Sequence, residues 1–535
     1  MLYFDCHAKI GQRPLKHKRT RWSTEHLLAD MDLAEISGAL VSHAVAHSYD
    51  PRYGNARLAG ELAKAPERLF GLWCLLPLAS PDFYVAGDDL LRAMAAADIR
   101  AVRCVAGNYS LHQEMMGPTL AALEEAEILL LLEAGWATDD FFAFFHDLLT
   151  RHPHLPVLLT DHTWSQQRYV HRLMQLHENL HLEFSSYQIN RGIEYYAAEF
   201  GAERLLFGTG GTEKSPGAAR TYIDYAQISA AAKRQIAGEN LRRLLKGQGP
   251  AVAAAPARPE DPWVVDVRAG TPQRGLIIDA HAHVLHEGGQ GAGINYIMFD
   301  GDAEGMLEVN AWCGIDRIAM MSWHGPVCTD AVDGNDIVWR AMQAYGERII
   351  GVAVIDPTHM DRGEIDVEIQ RRYVEQGFVG LKPYVRMNLS YEDPDFDPWW
   401  AFGNAHRLYA LMHVAGHTGG VAGVGRLADR YPEMSWLIAH SGGSYAFAEE
   451  VAACIADHPN VYAEITLTPV TNRVVEFLVA ATDDEHVLFG SDAPMRDPRQ
   501  QLGWVLWADL SPQSKAKILG GNFQRILDRA IAPEG

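Results

Sequence analysis

The sequence predicts an α/β protein made of two tandem (β/α)8 TIM-like barrels, on three observations. FDCHAKI, ending at Ile10, is echoed by IDAHAHV, ending at Val284. LLFGTGG stands before GENLRRLL as VLFGSDA stands before GGNFQRIL, and the step from the FG(T/S) hydroxyl residue to the later Asn is 31 residues both times, Thr209 to Asn240 and Ser491 to Asn522. Each half, about 250 residues long, alternates short apolar runs with longer amphipathic ones, as a duplicated barrel would.

After FDCHAKI, the strand candidates of the first half include RLFGLWCLL, IRAVRCV, ILLLLEAG, LPVLLTD, LHLEFSS and RLLFGTG. The second half gives eight: IIDAHAHV, RIAMMS, IIGVAVI, FVGLKPYV, YALMHVA, SWLIAH, NVYAEIT and HVLFGSD. Apolar runs of this length, separated by helix-like segments such as FAEEVAACIADH, suit parallel barrel strands. A doubly wound open sheet in each half is the alternative. Between the halves, GQGPAVAAAPARPEDPWVVDVRAGTPQRG has the Ala, Pro and Gly content of a linker. The expected division is residues 1–247, a linker over 248–275, and residues 276–535.

Composition narrows the function. Forty-six basic against sixty-eight acidic residues give a formal charge of −22, which argues against nucleic-acid and anionic-membrane surfaces. No window reaches the roughly 18 uninterrupted apolar residues of a membrane span. Leu2, Tyr3 and Phe4 lead straight into the His7 motif without a signal-peptide pattern, so a cytoplasmic protein is expected. Six cysteines form no CxxC pair and read as reduced, mostly buried thiols.

In a barrel of this kind functional residues sit where strands end at the C-terminal face. In the second half those places hold His281 and His283 on strand one, Lys382 on four, His413 on five, His440 on six and Asp492 on eight. Residues two apart on a strand point to one side, so His281 and His283 can bind one ion. Imidazole and carboxylate suit one divalent transition metal, zinc first, with manganese and iron as alternatives. No pair of facing carboxylates is evident for glycosidase chemistry.

DAHAHV, GFVGLKPY, LMHVAGH, LIAHSGG, VLFGSDAP and GGNFQRIL together make the second half similar to the amidohydrolase superfamily, in its amidohydrolase-related branch. The resemblance covers nearly all of residues 276–535. It implies His281, His283, His413 and Asp492 as ligands of one metal, Asp492 also as proton acceptor, and His440 beside the substrate or water. It also implies two reaction classes. One is hydrolysis of a small, carboxylate-bearing lactone, ester or amide by metal-activated water; the other is non-oxidative decarboxylation of an aromatic or muconate-like acid. A metal-bound binding protein without turnover is a third reading. Lys382 is a bridge between two metals, a salt-bridge partner or, with Arg386, a contact for a substrate carboxylate. Arg473, Arg496 and Arg499 are further cations for an acidic small molecule, and Trp323, His324, Trp399 and Trp400 either shape its pocket or pack the core.

Aligned by strand, the first half keeps His7 for His281 but has Lys9 for His283, Arg103 for Lys382, Glu133 for His413, Asp161 for His440 and Gly210 for Asp492. The expectation is a degenerate, metal-free barrel in which Lys9 replaces the ion inside a salt-bridge network. An unfamiliar site formed by His7, Glu133, Asp161 and His162 is the alternative. In relatives that work as homodimers the partner subunit reaches toward the active site, so the first barrel is a candidate stand-in, an intrachain pseudo-dimer.

Overall fold

The computed structural model describes residues 1–13, 17–78, 82–84, 86–104, 111–134, 140–291, 297–328, 330–467 and 470–533. The first barrel consists of β1 (Phe4–Ile10), β2 (Gly38–His43), β3 (Leu69–Cys74), β4 (Ala101–Cys104), β5 (Leu129–Glu133), β6 (Val157–Thr160), β7 (Leu180–Glu183) and β8 (Leu205–Leu206). The second consists of β9 (Ile278–Val284), β10 (Arg317–Ser322), β11 (Ile349–Val354), β12 (Gly380–Lys382), β13 (Tyr409–Met412), β14 (Ser435–Ile438), β15 (Val461–Glu464) and β16 (Val487–Leu488). Within each sheet every strand pairs with the next in chain order, and parallel bridges from Ala8 to Gly211 and from Ala282 to Ala493 close the two rings. Two tandem (β/α)8 barrels result. GALVSH, the run that forms β2, is one strand the apolar-run reading does not single out.

The strands are short and almost wholly buried because helices cover their outer faces and side chains fill the interior. Leu40, Leu72, Leu129, Leu131, Leu158 and Leu206 form one buried cluster with Phe4 and Cys6 in the first barrel.

Three polar devices recur in both copies and explain residues the duplication kept. Asp5 accepts from the backbone N–H groups of His7 (2.9 Å) and Thr209 (3.0 Å) and from the Thr209 hydroxyl. Asp279 does the same with His281 N (3.0 Å), Ser491 N (3.0 Å) and the Ser491 hydroxyl. Each clasp ties the loop after the last strand to the first. Asn55 and Asn335 each exchange two hydrogen bonds with the end of the third strand, at Cys74 and at Val354. Asn240 and Asn522, each following a π-helical turn, donate to two carbonyls ahead of and on the last strand, those of Ala202 and Leu205 and those of Asp484 and Val487. Buried amides with both partners supplied hold geometry that an apolar residue could not.

The chain divides into two compact units, Met1–Gln188 with Gly192–Pro259, and Glu260–Gly535 with Ile189–Arg191. The linker expectation needs correction on its C-terminal side: Pro262–Ala269 is an α-helix. Asp261 caps it by accepting from Trp263 N (3.1 Å), Pro262 starts it and Gly270 ends it at φ 64°, the usual start and stop residues hidden in a linker-like composition. Trp263 is buried and donates its indole N–H to the Pro512 carbonyl (3.0 Å), while Asp261 pairs with the buried Lys515 at 2.7 Å. Cys6, Cys74, Cys104, Cys313 and Cys454 are buried free thiols. No helix among the described residues is long and apolar enough to cross a membrane.

Candidate metal centre

In the second barrel the strand ends bring most of the expected donors to one buried point. His283 Nε2 lies 3.1 Å and His281 Nε2 3.6 Å from Asp492 Oδ1. Among the described residues, two sets have donor atoms within 4.8 Å of one another: His281, His283 and Asp492, and His281, His440 and Glu464. His413 stands beside them, its ring centroid 4.6 Å from that of His440, but belongs to neither set.

Glu464, the last residue of β15, is the organiser that the sequence reading missed. Its carboxylate accepts from His281 Nδ1 at 2.8 Å, from Thr466 N at 2.8 Å and from His440 N at 3.4 Å. The first of these bonds places the proton on Nδ1 and leaves the Nε2 lone pair toward Asp492, the carboxylate–imidazole relay that orients metal-binding histidines. The signal was present in NVYAEIT, because the first copy carries Glu183 at the matching place in LHLEFSS.

Burial holds the imidazoles neutral. It pushes His281, His283 and His440 well below the usual histidine value and His413 down to about 3, with the Lys382 ammonium adding to the effect on His281, His283 and His413. Neutral imidazole is the ligand form. Lys382 is itself fully buried with no hydrogen bond to its Nζ, and desolvation lowers it to about 7. The neutral imidazoles of His281 and His283 and the inward carboxylate of Asp492 fit a divalent ion and its ligands.

His440 and Asp492 both have positive φ, 64° and 57°. Such a left-handed turn at a non-glycine residue costs about 1 kcal/mol or more and is typical of functional loops. His440 donates Nδ1–H to the Thr466 carbonyl at 2.7 Å, leaving Nε2 as the basic nitrogen.

The centre opens on a cavity of about 450 Å³, whose wall includes Trp323, Tyr384, Phe447, Leu467, Met495 and Arg496. Trp323 packs edge-on against His283. Arg496, though, is paired with Asp492. Arg386 is exposed, and Arg473 turns to Glu476 (3.1 Å) and Asp509 (3.6 Å), so neither lines the cavity. Arg499 is paired with Asp497 at 2.7 Å. Trp399 and Trp400 are core residues, the latter packed on Trp436 and Phe396, and His324 sits 3.1 Å from Asp333.

A family model described as amidohydrolase matches the chain twice, over residues 5–247 and again over 278–529. The chain belongs to the amidohydrolase family. A comparison with curated proteins finds no match. Among solved structures, 2,6-dihydroxybenzoate decarboxylase from Rhizobium is 14% identical, over 48% of this chain and 99% of its own, with a TM-score of 0.39. For 4-oxalomesaconate hydratase from Rhodopseudomonas palustris the values are 17%, 48%, 96% and 0.37, and for 5-carboxyvanillate decarboxylase from Sphingomonas paucimobilis 16%, 47%, 99% and 0.37.

In the first amidohydrolase barrel the matching positions form a closed ion-pair network. His7 Nε2 lies 2.9 Å from Asp161, Arg103 pairs with Glu133 and places a guanidinium nitrogen 3.4 Å from His7 Nδ1, and Lys9 is 3.8 Å from Glu133. Asp161 and Gly210 have φ 55° and 67°, the same left-handed turns as His440 and Asp492, so the backbone of the site survives although, of its donors, only His7 does. The expected central cation, Lys9, sits on the periphery. Lys214 takes the central place, its Nζ 3.0 Å from Asp161, 2.5 Å from Ser186 Oγ and 3.2 Å from Ser185 Oγ. His162 is buried against Tyr187 and hydrogen-bonds to neither Asp161 nor His7.

Proposed function

We propose that the second barrel is a metal-dependent hydrolase of a small, carboxylate-bearing lactone, ester or amide. The observation that carries the reading is the convergence of His281 Nε2, His283 Nε2 and Asp492 Oδ1 at the base of an apolar-walled cavity, with both imidazoles neutral. His281, His283 and Asp492 would hold the ion, with His413 as the adjacent fourth donor; zinc is the first choice, manganese or iron the alternatives. A bound divalent metal supplies Lewis acidity and lowers the pKa of water from about 15.7 to about 7.

The chain's own groups do the rest. Glu464 fixes His281 in the ligand tautomer. His440, whose Nδ1–H is committed to Thr466, takes a proton at Nε2 from the attacking water and returns it to the leaving group. Asp492 is the second acceptor for that proton. Trp323, Tyr384, Phe447 and Leu467 exclude water and hold an apolar substrate body. That same aromatic-rich wall favours a second reading, decarboxylation of an aromatic or muconate-like acid.

We further infer that residues 1–247 form a metal-free companion barrel, supported by the ion pairs that fill its site, and that the catalytic unit is residues 276–535 together with the helix before it. Metal per chain, measured on the full-length protein beside His283→Ala and Lys9→Ala, tests both readings. One ion, lost with His283→Ala and kept with Lys9→Ala, is expected; two ions would mean either a binuclear second barrel bridged by Lys382 or a metal site in the first barrel, and one that survives His283→Ala would overturn the metal-free first barrel. Release of carbon dioxide during turnover would replace hydrolysis by decarboxylation.

A further inference from the structure

Asp492 has two claimants. Its Oδ1 faces His283 Nε2 at 3.1 Å and its Oδ2 is engaged by the guanidinium of Arg496, four residues on, with both side chains buried. A divalent ion held by His281, His283 and Asp492 and the Arg496 guanidinium draw on the same carboxylate, and two cations held that close in a buried site repel one another.

The first barrel shows where a cation at this position goes when its carboxylate is lost. Lys214 stands four residues after Gly210 as Arg496 stands four after Asp492. Lacking a carboxylate at 210, Lys214 reaches across the strand ends to Asp161, at the place that His440 holds in the second barrel.

We propose that Asp492 changes partner when metal binds, and that Arg496, so displaced, becomes the residue that receives the substrate carboxylate next to His440. The guanidinium fork matches a carboxylate in two parallel hydrogen bonds, and Arg496 already forms part of the cavity wall. Metal and acidic substrate then bind cooperatively, because the ion creates the anion site as well as the chemistry. The inference rests on the metal centre proposed above.

The test uses the full-length protein, stripped with a chelator or reloaded with zinc, and benzoate as probe, followed by calorimetry. Zinc stoichiometry reports on the metal centre; benzoate affinity reports on Arg496. The expected result is benzoate binding at least about tenfold tighter with zinc than without, and Arg496→Gln that still takes one zinc, at least as tightly as wild type, yet loses roughly tenfold in benzoate affinity, with partial rescue in Arg496→Lys. Zinc-loaded Arg496→Gln that binds benzoate as well as wild type overturns the proposal while leaving the metal centre standing. A tenfold fall in zinc affinity in that variant also overturns it, since Arg496 would then be a prop for Asp492. Absence of zinc binding in the wild type removes the metal centre and the proposal together.

Discussion

Lys214 lies across the face of Gly210 from which a side chain would project, its Cδ 2.9 Å and its Nζ 3.2 Å from the point a Cβ would occupy. The loss of a carboxylate at 210 and the gain of a folded-in ammonium are one structural event, and the ammonium takes over the balancing of Asp161. Lys214→Met should therefore leave Asp161 held by His7 alone. A drop in stability of about 2 kcal/mol is expected, below the value for a fully buried pair because Asp161 keeps some solvent contact. Urea denaturation of the full chain checks it; metal content should not change.

Glu464 gives a prediction about the second barrel. Glu464→Gln keeps an acceptor for Thr466 N but loses the charged partner of His281 Nδ1. Outer partners of this type usually contribute 10- to 100-fold to metal affinity, so a loss of roughly that size is expected. Competition with a chromophoric chelator measures it. An unchanged affinity would mean that His281 is oriented by its backbone alone.

Much of this was legible in the sequence. The HxH pair, His440 and Asp492 could be read because barrel chemistry concentrates at strand ends, and strand ends are visible as apolar runs that stop. Glu464 was not read because it ends its strand as the ligands do but acts through His281 rather than on an ion. Arg496 and Lys214 were not placed because side chains four residues past a turn can reach in several directions, and only coordinates show which anion each selects. The helix at Pro262–Ala269 escaped because eight residues carry little periodicity, although its Asp-Pro start and Gly end were there to be seen.

Acid should weaken the first barrel through histidines that are buried neutral. Desolvation lowers His162 to about 3 and His181 to about 4, against about 6.5 in the unfolded chain. Below about pH 6.5 the unfolded state takes up protons that the folded barrel refuses, so each residue costs about 1.4 kcal/mol per pH unit, until about pH 4 for His181 and about pH 3 for His162. Above about pH 6.5 neither contributes to the pH dependence. His162→Phe keeps the packing on Tyr187, removes two buried nitrogens without hydrogen bonds, and should gain about 1 kcal/mol near neutrality. Urea midpoints followed from about pH 7.5 to about pH 5 should fall less steeply in the variant, by the share of one proton.

The helix ahead of β9 makes the last prediction. Trp263 buries its ring and satisfies its N–H on Pro512, and Asp261 meets the buried Lys515 ammonium at 2.7 Å. Both contacts lie within the unit that carries the metal centre. Trp263→Ala in the full chain removes a buried aromatic and leaves a cavity, at a cost of about 3 kcal/mol. Lys515→Met leaves Asp261 buried without its cation and should cost a similar amount, about 3 kcal/mol. Thermal unfolding of the two variants should show this loss with the metal content of the folded protein intact, since neither residue touches His281, His283 or Asp492. If instead both variants unfold like wild type, residues 262–269 are a passenger on the barrel.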